Sequence, residues 1–217
     1  MKNSIKVVEI ESFGGPDNMQ LVDKPVPVPG PGEVRVRLAA IGVNLIDTYH
    51  RTGLYPVPLP SGLGVEGAGE VEAVGAGVDL PVGTRVALTL ALGAYAEAIV
   101  LPATSLIRLP DSIGFEQAAA ILLKGMTVDY LFNDTFPLKG GETVLFHAAA
   151  GGVGLIACQW AHHISVNLIG TASTDEKCAL AESHGAKKCV LSGAENLAET
   201  LKALAPDGGF PVVYDSV

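Results

Sequence analysis

Apolar and polar positions alternate along this chain with two different periods, and the change of period divides it in two. Over roughly the first 120 residues the recurring unit has period two. Glu33–Val43, EVRVRLAAIGV, alternates as a half-buried strand does. GAGEVEAVGAGV and TRVALTL follow as further short strands, set off by Gly and Pro. PVPVPGPG, Pro25–Gly32, reads either as a stiff connecting loop or as the ligand of a proline-binding domain. Its place between two strands of one domain favours the loop.

From about Lys124 the pattern becomes strand, helix, strand, helix. TVLFHAA is an apolar run ending at glycines, and GLIACQWAHH continues as a helix. NLIGTA is the next strand and STDEKCALAESHG the next helix. Ser173 with Glu176 three residues on predicts a capping box, and Gly185 stands where a C-terminal cap belongs. KCVLS, ENLAETLKALA and VVYDSV complete the series as strand, helix and fourth strand. Such alternation predicts an α/β fold with a parallel sheet and right-handed crossovers.

Composition narrows the function. The 217 residues are 48% hydrophobic and carry a net charge of −9, which gives no support to nucleic-acid or anionic-membrane binding. Cys158, Cys178 and Cys189 form no C-x-x-C pair and fit reduced thiols in a cytoplasmic setting. The most apolar window, Ala87–Leu101, is broken by Gly93 and Glu97 and is too short for a bilayer.

The chemistry points to the first strand–helix corner of the second half, His147–Gly154, HAAAGGVG. It reads as a corner packed without a ligand or as a cradle for a pyrophosphate, and its place in the first βαβ unit favours the cradle. Gly151 and Gly152 let a backbone approach phosphate at a helix N-terminus, with Val153 in the same turn. Gly154 lets the helix pack against the sheet. Ala149 stands where the first glycine of G-x-G-x-x-G belongs. At the end of the next strand, where an acid would hold an NAD ribose, the chain has Ala172 and then Ser173. With Lys177 one turn on, that favours NADPH, although Ser173 can equally cap its helix and Asp175 and Glu176 weaken the local field.

LLKGMTVDYLF, GGETVLFHAAAGGVGLIACQWA and GVNLIDTYHRTGLYP resemble the quinone oxidoreductase (zeta-crystallin-like) branch of the medium-chain dehydrogenase/reductase superfamily, and the resemblance runs through essentially the whole chain. It implies a GroES-like β-rich domain at 1–123 and a doubly wound Rossmann domain at 124–217, with a nicotinamide cleft between them. Six strands are expected of that Rossmann domain and four are present, so it is expected to be incomplete at the C-terminus. The zinc ligands of the related alcohol dehydrogenases are replaced here by Asn44, Val65 and Leu123, which implies an enzyme without metal.

The same resemblance implies NADPH-side positions at Leu45, Ile46, Asp47, Thr48, Tyr49, Thr127 and Tyr130. Ser192 and Ser216 are further cofactor-site candidates, Ser192 standing where related NADPH enzymes often have a Tyr on the adenosine phosphate. Asn44, Asp47, Arg51 and Tyr55 are the candidates on the substrate side, and Tyr55 the choice for a hydrogen-bond or proton donor. Each also has a plainer role: Asn44 can cap a short helix, Asp47 can pair with Arg51, and Tyr49 and Tyr55 can be rim aromatics. The implied activity is NADPH-dependent quinone reduction by a homodimer in its full-length form. A reductase of enones or enoyl thioesters, and a non-catalytic nucleotide-binding protein, are the alternatives.

Overall fold

The computed structural model describes residues 3–215. The chain separates into two compact units, Met1–Leu123 and Lys124–Val217. The first contains β1 (Ser4–Ile10), β2 (Gln20–Pro25), β3 (Glu33–Gly42), α1 (Leu45–Thr52), β4 (Ser61–Gly62), β5 (Glu66–Val74), β6 (Arg85–Thr89), β7 (Ala98–Pro102) and β8 (Ile107–Arg108). α2 (Phe115–Tyr130) follows. All strand pairs in this unit are antiparallel, in a five-stranded sheet ordered β7-β3-β5-β6-β8 and a three-stranded sheet ordered β2-β1-β4.

The alternation expected of Glu33–Val43 is what builds the larger sheet. Val34 and Val36 of β3 are fully buried and join Val71, Val86, Leu88, Ile99 and Leu101 in one apolar cluster. Each such side chain contributes about 1.5–3 kcal/mol on burial. The other side of the sheet is small: Ala68 of β5 and Ala87 of β6 lie against Ala118 and Ala119 at the start of α2. Methyl-sized neighbours on both sides let a helix backbone come close. The pattern of this half is therefore interrupted by two helices, because α1 is only eight residues and α2 is apolar enough to hide its period.

The second unit contains β9 (Thr143–Phe146), α3 (Gly152–His163), β10 (Asn167–Ala172), α4 (Asp175–Ser183), β11 (Lys188–Leu191), α5 (Leu197–Leu204) and β12 (Val213–Tyr214). Its strands are parallel and ordered β11-β10-β9-β12. The chain steps from β9 outward through β10 and β11, then returns to pair β12 on the far side of β9. That reversal is the switch point at whose carboxyl end open α/β sheets bind ligands. Beneath it, Phe132 is 1% exposed, with ring centroids 5.4 Å from Tyr214 and 6.5 Å from Trp160.

One expectation is corrected. The N-cap of α4 is Thr174, whose hydroxyl accepts from the amide of Lys177 at 3.3 Å, and not Ser173. The helix starts one residue later than the Ser173–Glu176 spacing implied, so Glu176 falls outside the reciprocal bond. Gly185 does adopt the left-handed backbone, φ +108°, immediately after the C-cap His184.

Candidate functional site

In the second unit, β9 ends at Phe146 and the chain turns through His147–Gly151 before α3 begins at Gly152. Three backbone bonds shape the turn: His147 N donates to Tyr214 O (2.9 Å), Ala149 N to Thr171 O (2.9 Å) and Gly151 N to Ala148 O (2.8 Å). Ala148 is left-handed, φ +53°, an uncommon conformation for a residue with a Cβ. The first-turn amides of α3, on Gly152, Val153 and Gly154, have no acceptor within the helix and sit at its positive end.

The small residues are demanded by distances. A Cβ on Gly154 would lie 2.5 Å from both Ala148 O and Ala149 O. A Cβ on Gly152 would meet only the Lys124 side chain, at 3.0 Å. Ala149 replaces the first glycine of the fingerprint because Gly170 of β10 gives it room: a Cβ on Gly170 would fall 2.6 Å from the Ala149 methyl.

A hollow of about 420 Å³ opens over this turn. His147, Gly151, Thr171, Ser173, Lys177 and Ser192 line it, with Ala148, Ala150, Ala172 and Asp215. The Lys177 ammonium donates to Ser173 Oγ at 3.1 Å, so the two residues singled out for a ribose phosphate stand together. Freed from capping by Thr174, Ser173 has its hydroxyl on the hollow. Glu176 nearby stays ionised, its carboxyl held below the usual range by its own backbone amide and the Thr174 hydroxyl. Thr127 and Tyr130, both on α2, are not among the lining residues of this hollow, and Tyr130 is half-exposed. Val153 packs against the core, and Ser216 lies outside the described residues.

In the first unit the candidates gather on α1. Asn44 is its N-cap; its amide N–H donates to Asp47 Oδ2 (2.8 Å), the reach-back half of a capping box. The same oxygen accepts from the Tyr95 hydroxyl at 2.6 Å. Burial, and then the Asp47 carboxylate, hold the Tyr95 hydroxyl well above the usual phenol range. Asn44 Nδ2 donates to Glu66 Oε2 (2.8 Å), and the other oxygen of Glu66 accepts from Leu123 N (2.8 Å). Glu66 is fully buried. The expected Asp47–Arg51 pair is not formed; Arg51 Nη1 donates to Gly14 O at 2.8 Å, leaving Asp47 to the interior. Asp47 is 5% exposed and its Oδ1 finds no partner among the described residues.

Tyr49 and Tyr55 pack edge to face, centroids 5.3 Å apart, and Tyr55 N donates to Tyr49 O at 3.1 Å. Tyr55 remains 51% exposed, as does Leu45 at 65%, while Ile46 is half-buried and Thr48 Oγ1 donates to Leu45 O. Sequence reasoning missed Glu66, Tyr95 and Thr171. For Glu66 a signal existed, a single carboxylate inside the otherwise small and apolar SGLGVEGAG. As for a metal, the three positions at issue hold an amide already committed to Glu66 and two aliphatic side chains. No group of three His, Cys, Asp or Glu that could hold an ion occurs among the described residues. None of the described helices is long and apolar enough to cross a membrane.

Comparison with known proteins finds the alcohol dehydrogenase GroES-like domain over residues 30–111 and the zinc-binding dehydrogenase family over residues 152–217. A quinone oxidoreductase of Pseudomonas aeruginosa is 56% identical over 98% of this chain and 66% of its own length. A 2-haloacrylate reductase of Burkholderia sp. is 43% identical over 96% of this chain and 65% of its own. Among solved structures, the Escherichia coli quinone oxidoreductase complexed with NADPH superposes with a TM-score of 0.94 at 48% identity, over 98% of this chain and 66% of that one. A mycobacterial protein complexed with NADPH gives 0.91 at 45%, over 98% and 67%. The chain thus spans about two thirds of the length of these relatives.

Proposed function

The chain belongs to the zinc-independent quinone oxidoreductase branch of the medium-chain dehydrogenase/reductase superfamily, and from that premise we propose that it passes reducing equivalents from NADPH to a quinone without a metal. The observation that carries the reading is the Lys177–Ser173 pair on the hollow beside the glycine turn, with Ala172 where an acid would repel a 2′-phosphate. Lys177 and Ser173 hold that phosphate, Ser192 lies on the wall beside them, and the first-turn amides of α3 face the pyrophosphate. NADPH supplies the hydride. A quinone accepts it without a Lewis acid, because resonance in its ring stabilises the product anion. Tyr55, exposed and oriented by Tyr49, gives a proton to the quinone oxygen. Asn44 and Asp47 fix the start of α1, which carries Tyr49, and Arg51 ties the loop at Gly14 to its end. The working form is a cytoplasmic homodimer.

A second reading, reduction of an activated alkene with Tyr55 protonating the carbon next to the carbonyl, is favoured by the likeness to the 2-haloacrylate reductase. The test is a titration of the 217-residue chain with NADPH and NADH, followed by nicotinamide fluorescence, with Lys177→Ala alongside. Loss of a charge-assisted bond weakens NADPH by about 10- to 100-fold and leaves NADH unchanged. Equal affinity for both nucleotides in the parent chain refutes the phosphate pocket. A panel of quinones and activated alkenes then separates the two readings, and faster turnover of the alkenes selects the second.

A further inference from the structure

We propose that His147 is a proton-linked contact to the phosphate oxygens of the dinucleotide, an assignment that rests on the nucleotide reading above. His147 follows β9 directly and is half-buried in the wall of the hollow, with Gly151 of the glycine turn on the same wall. Its Nδ1 lies 2.9 Å from the Oγ1 of Thr171. Thr171 is 1% exposed and sits on β10 between two paired strands, so this bond fixes the imidazole plane. Nε2 has no hydrogen-bond partner among the described residues. One ring nitrogen is used inside the fold, and the other is left for whatever fills the hollow.

Three charged groups stand around it: Lys177 of α4, Asp215 of the segment after β12, and Lys124 of α2, whose stem lies against Gly152. The remaining lining residues are Ser, Thr, Ala and Gly. In the imidazolium form both ring nitrogens donate, Nδ1–H to Thr171 Oγ1 and Nε2–H to a phosphate oxygen. That second bond is charge-assisted, the stronger kind. An anion against Nε2 favours the charged ring, so proton binding and nucleotide binding support one another. The sign follows: the gain in affinity needs the protonated ring, so it is greatest at the acid end and is lost as pH rises. Ordinary imidazoles titrate near pH ~6.5, whereas carboxylates and ammonium groups titrate well outside the interval from 6 to 8. The term is shared by NADPH and NADH, because both carry the pyrophosphate.

The experiment is a pH series of nucleotide binding, from about pH 6 to about pH 8, on the parent chain, His147→Gln and Thr171→Val. Calorimetry in buffers of unlike ionisation enthalpy counts the protons taken up. NADH is the cleaner arm, since the 2′-phosphate of NADPH itself titrates near pH ~6. The parent chain is expected to bind NADH about three- to tenfold more tightly at the acid end, with fractional proton uptake. His147→Gln abolishes both the slope and the uptake, and Thr171→Val, of the same shape without the hydroxyl, reduces them. An unchanged slope in His147→Gln overturns this inference and leaves the nucleotide reading standing. No binding of either nucleotide at any pH overturns both. Should His147→Gln fail to fold, zero proton uptake by the parent chain is the result that overturns the proposal.

Discussion

Replacing Gly154 by Ala adds one methyl group at a point where the turn before α3 leaves no space for it. The new Cβ would lie 2.5 Å from Ala148 O, 2.5 Å from Ala149 O and 2.6 Å from the Ala149 carbonyl carbon. Ordinary contact begins at 3.4 Å, so about 0.9 Å has to be made up. All three atoms are backbone, so no change of rotamer relieves the clash. Either the first turn of α3 lifts from the sheet or the turn opens. Overpacking of this kind costs about 1–3 kcal/mol, and the better helix propensity of Ala returns at most about 1. A net loss of about 1–2 kcal/mol lowers the melting midpoint by roughly 2–8 °C for a chain of this size. The same displacement carries an N–H about 0.9 Å from a phosphate oxygen, beyond bonding range, and one lost charge-assisted bond weakens NADPH about 10- to 100-fold. Thermal melting and fluorescence titration read the two effects separately. Gly152→Ala is the control, because its Cβ meets only the movable Lys124 stem. If Gly154→Ala melts and binds as Gly152→Ala does, the distance argument for this turn is wrong.

Three further outcomes follow from the same unit. Gly170→Ala drives a methyl to 2.6 Å from that of Ala149 and is expected to cost about 1–3 kcal/mol, while Gly170→Ala with Ala149→Gly recovers most of it; equal melting of the single and double variants refutes the exchange. Burial pushes the Cys158 thiol up to about 11 and that of Cys189, with Cys178 beside it, up to about 12; burial also pushes the Tyr214 hydroxyl up to about 12. For acids whose folded value is raised, stability is present below the unfolded value and is lost as pH climbs through the folded one. The melting midpoint is therefore expected to stay flat to about pH 8.5 and to fall above it. Iodoacetamide at neutral pH labels Cys158 and Cys189 only in denaturant, and labelling of the native chain contradicts the burial argument.

The parallel sheet of the second unit was legible because its strands are buried runs bounded by glycines and helix caps, all local signals. The Ser173–Lys177 contact was legible for a similar reason, since the two residues are one helical turn apart. Thr174, with an extended backbone, took the cap by accepting from the Lys177 amide, and that is a choice between adjacent hydroxyls which spacing does not make. Glu66 and Tyr95 are of another kind. They matter through partners 22 and 48 residues away in the chain, and no periodicity reports such a meeting. Arg51 shows the converse. Its i, i+4 spacing from Asp47 suggested a local pair, and a carbonyl 37 residues away took the guanidinium instead.

The bonded series Tyr95–Asp47–Asn44–Glu66 limits how sequences of this shape can drift. Each member answers a neighbour's donor or acceptor, so a change at any one removes a bond from the next, at about 1–3 kcal/mol. Two simultaneous changes can cost far less than either alone, which is strong epistasis. Asn44→Cys, the obvious first move toward a metal-binding relative, would leave Glu66 Oε2 without the amide that it accepts from. The position is thus held in place by its neighbour, and a lineage leaving this arrangement has to cross a valley in stability before any new chemistry can reward it.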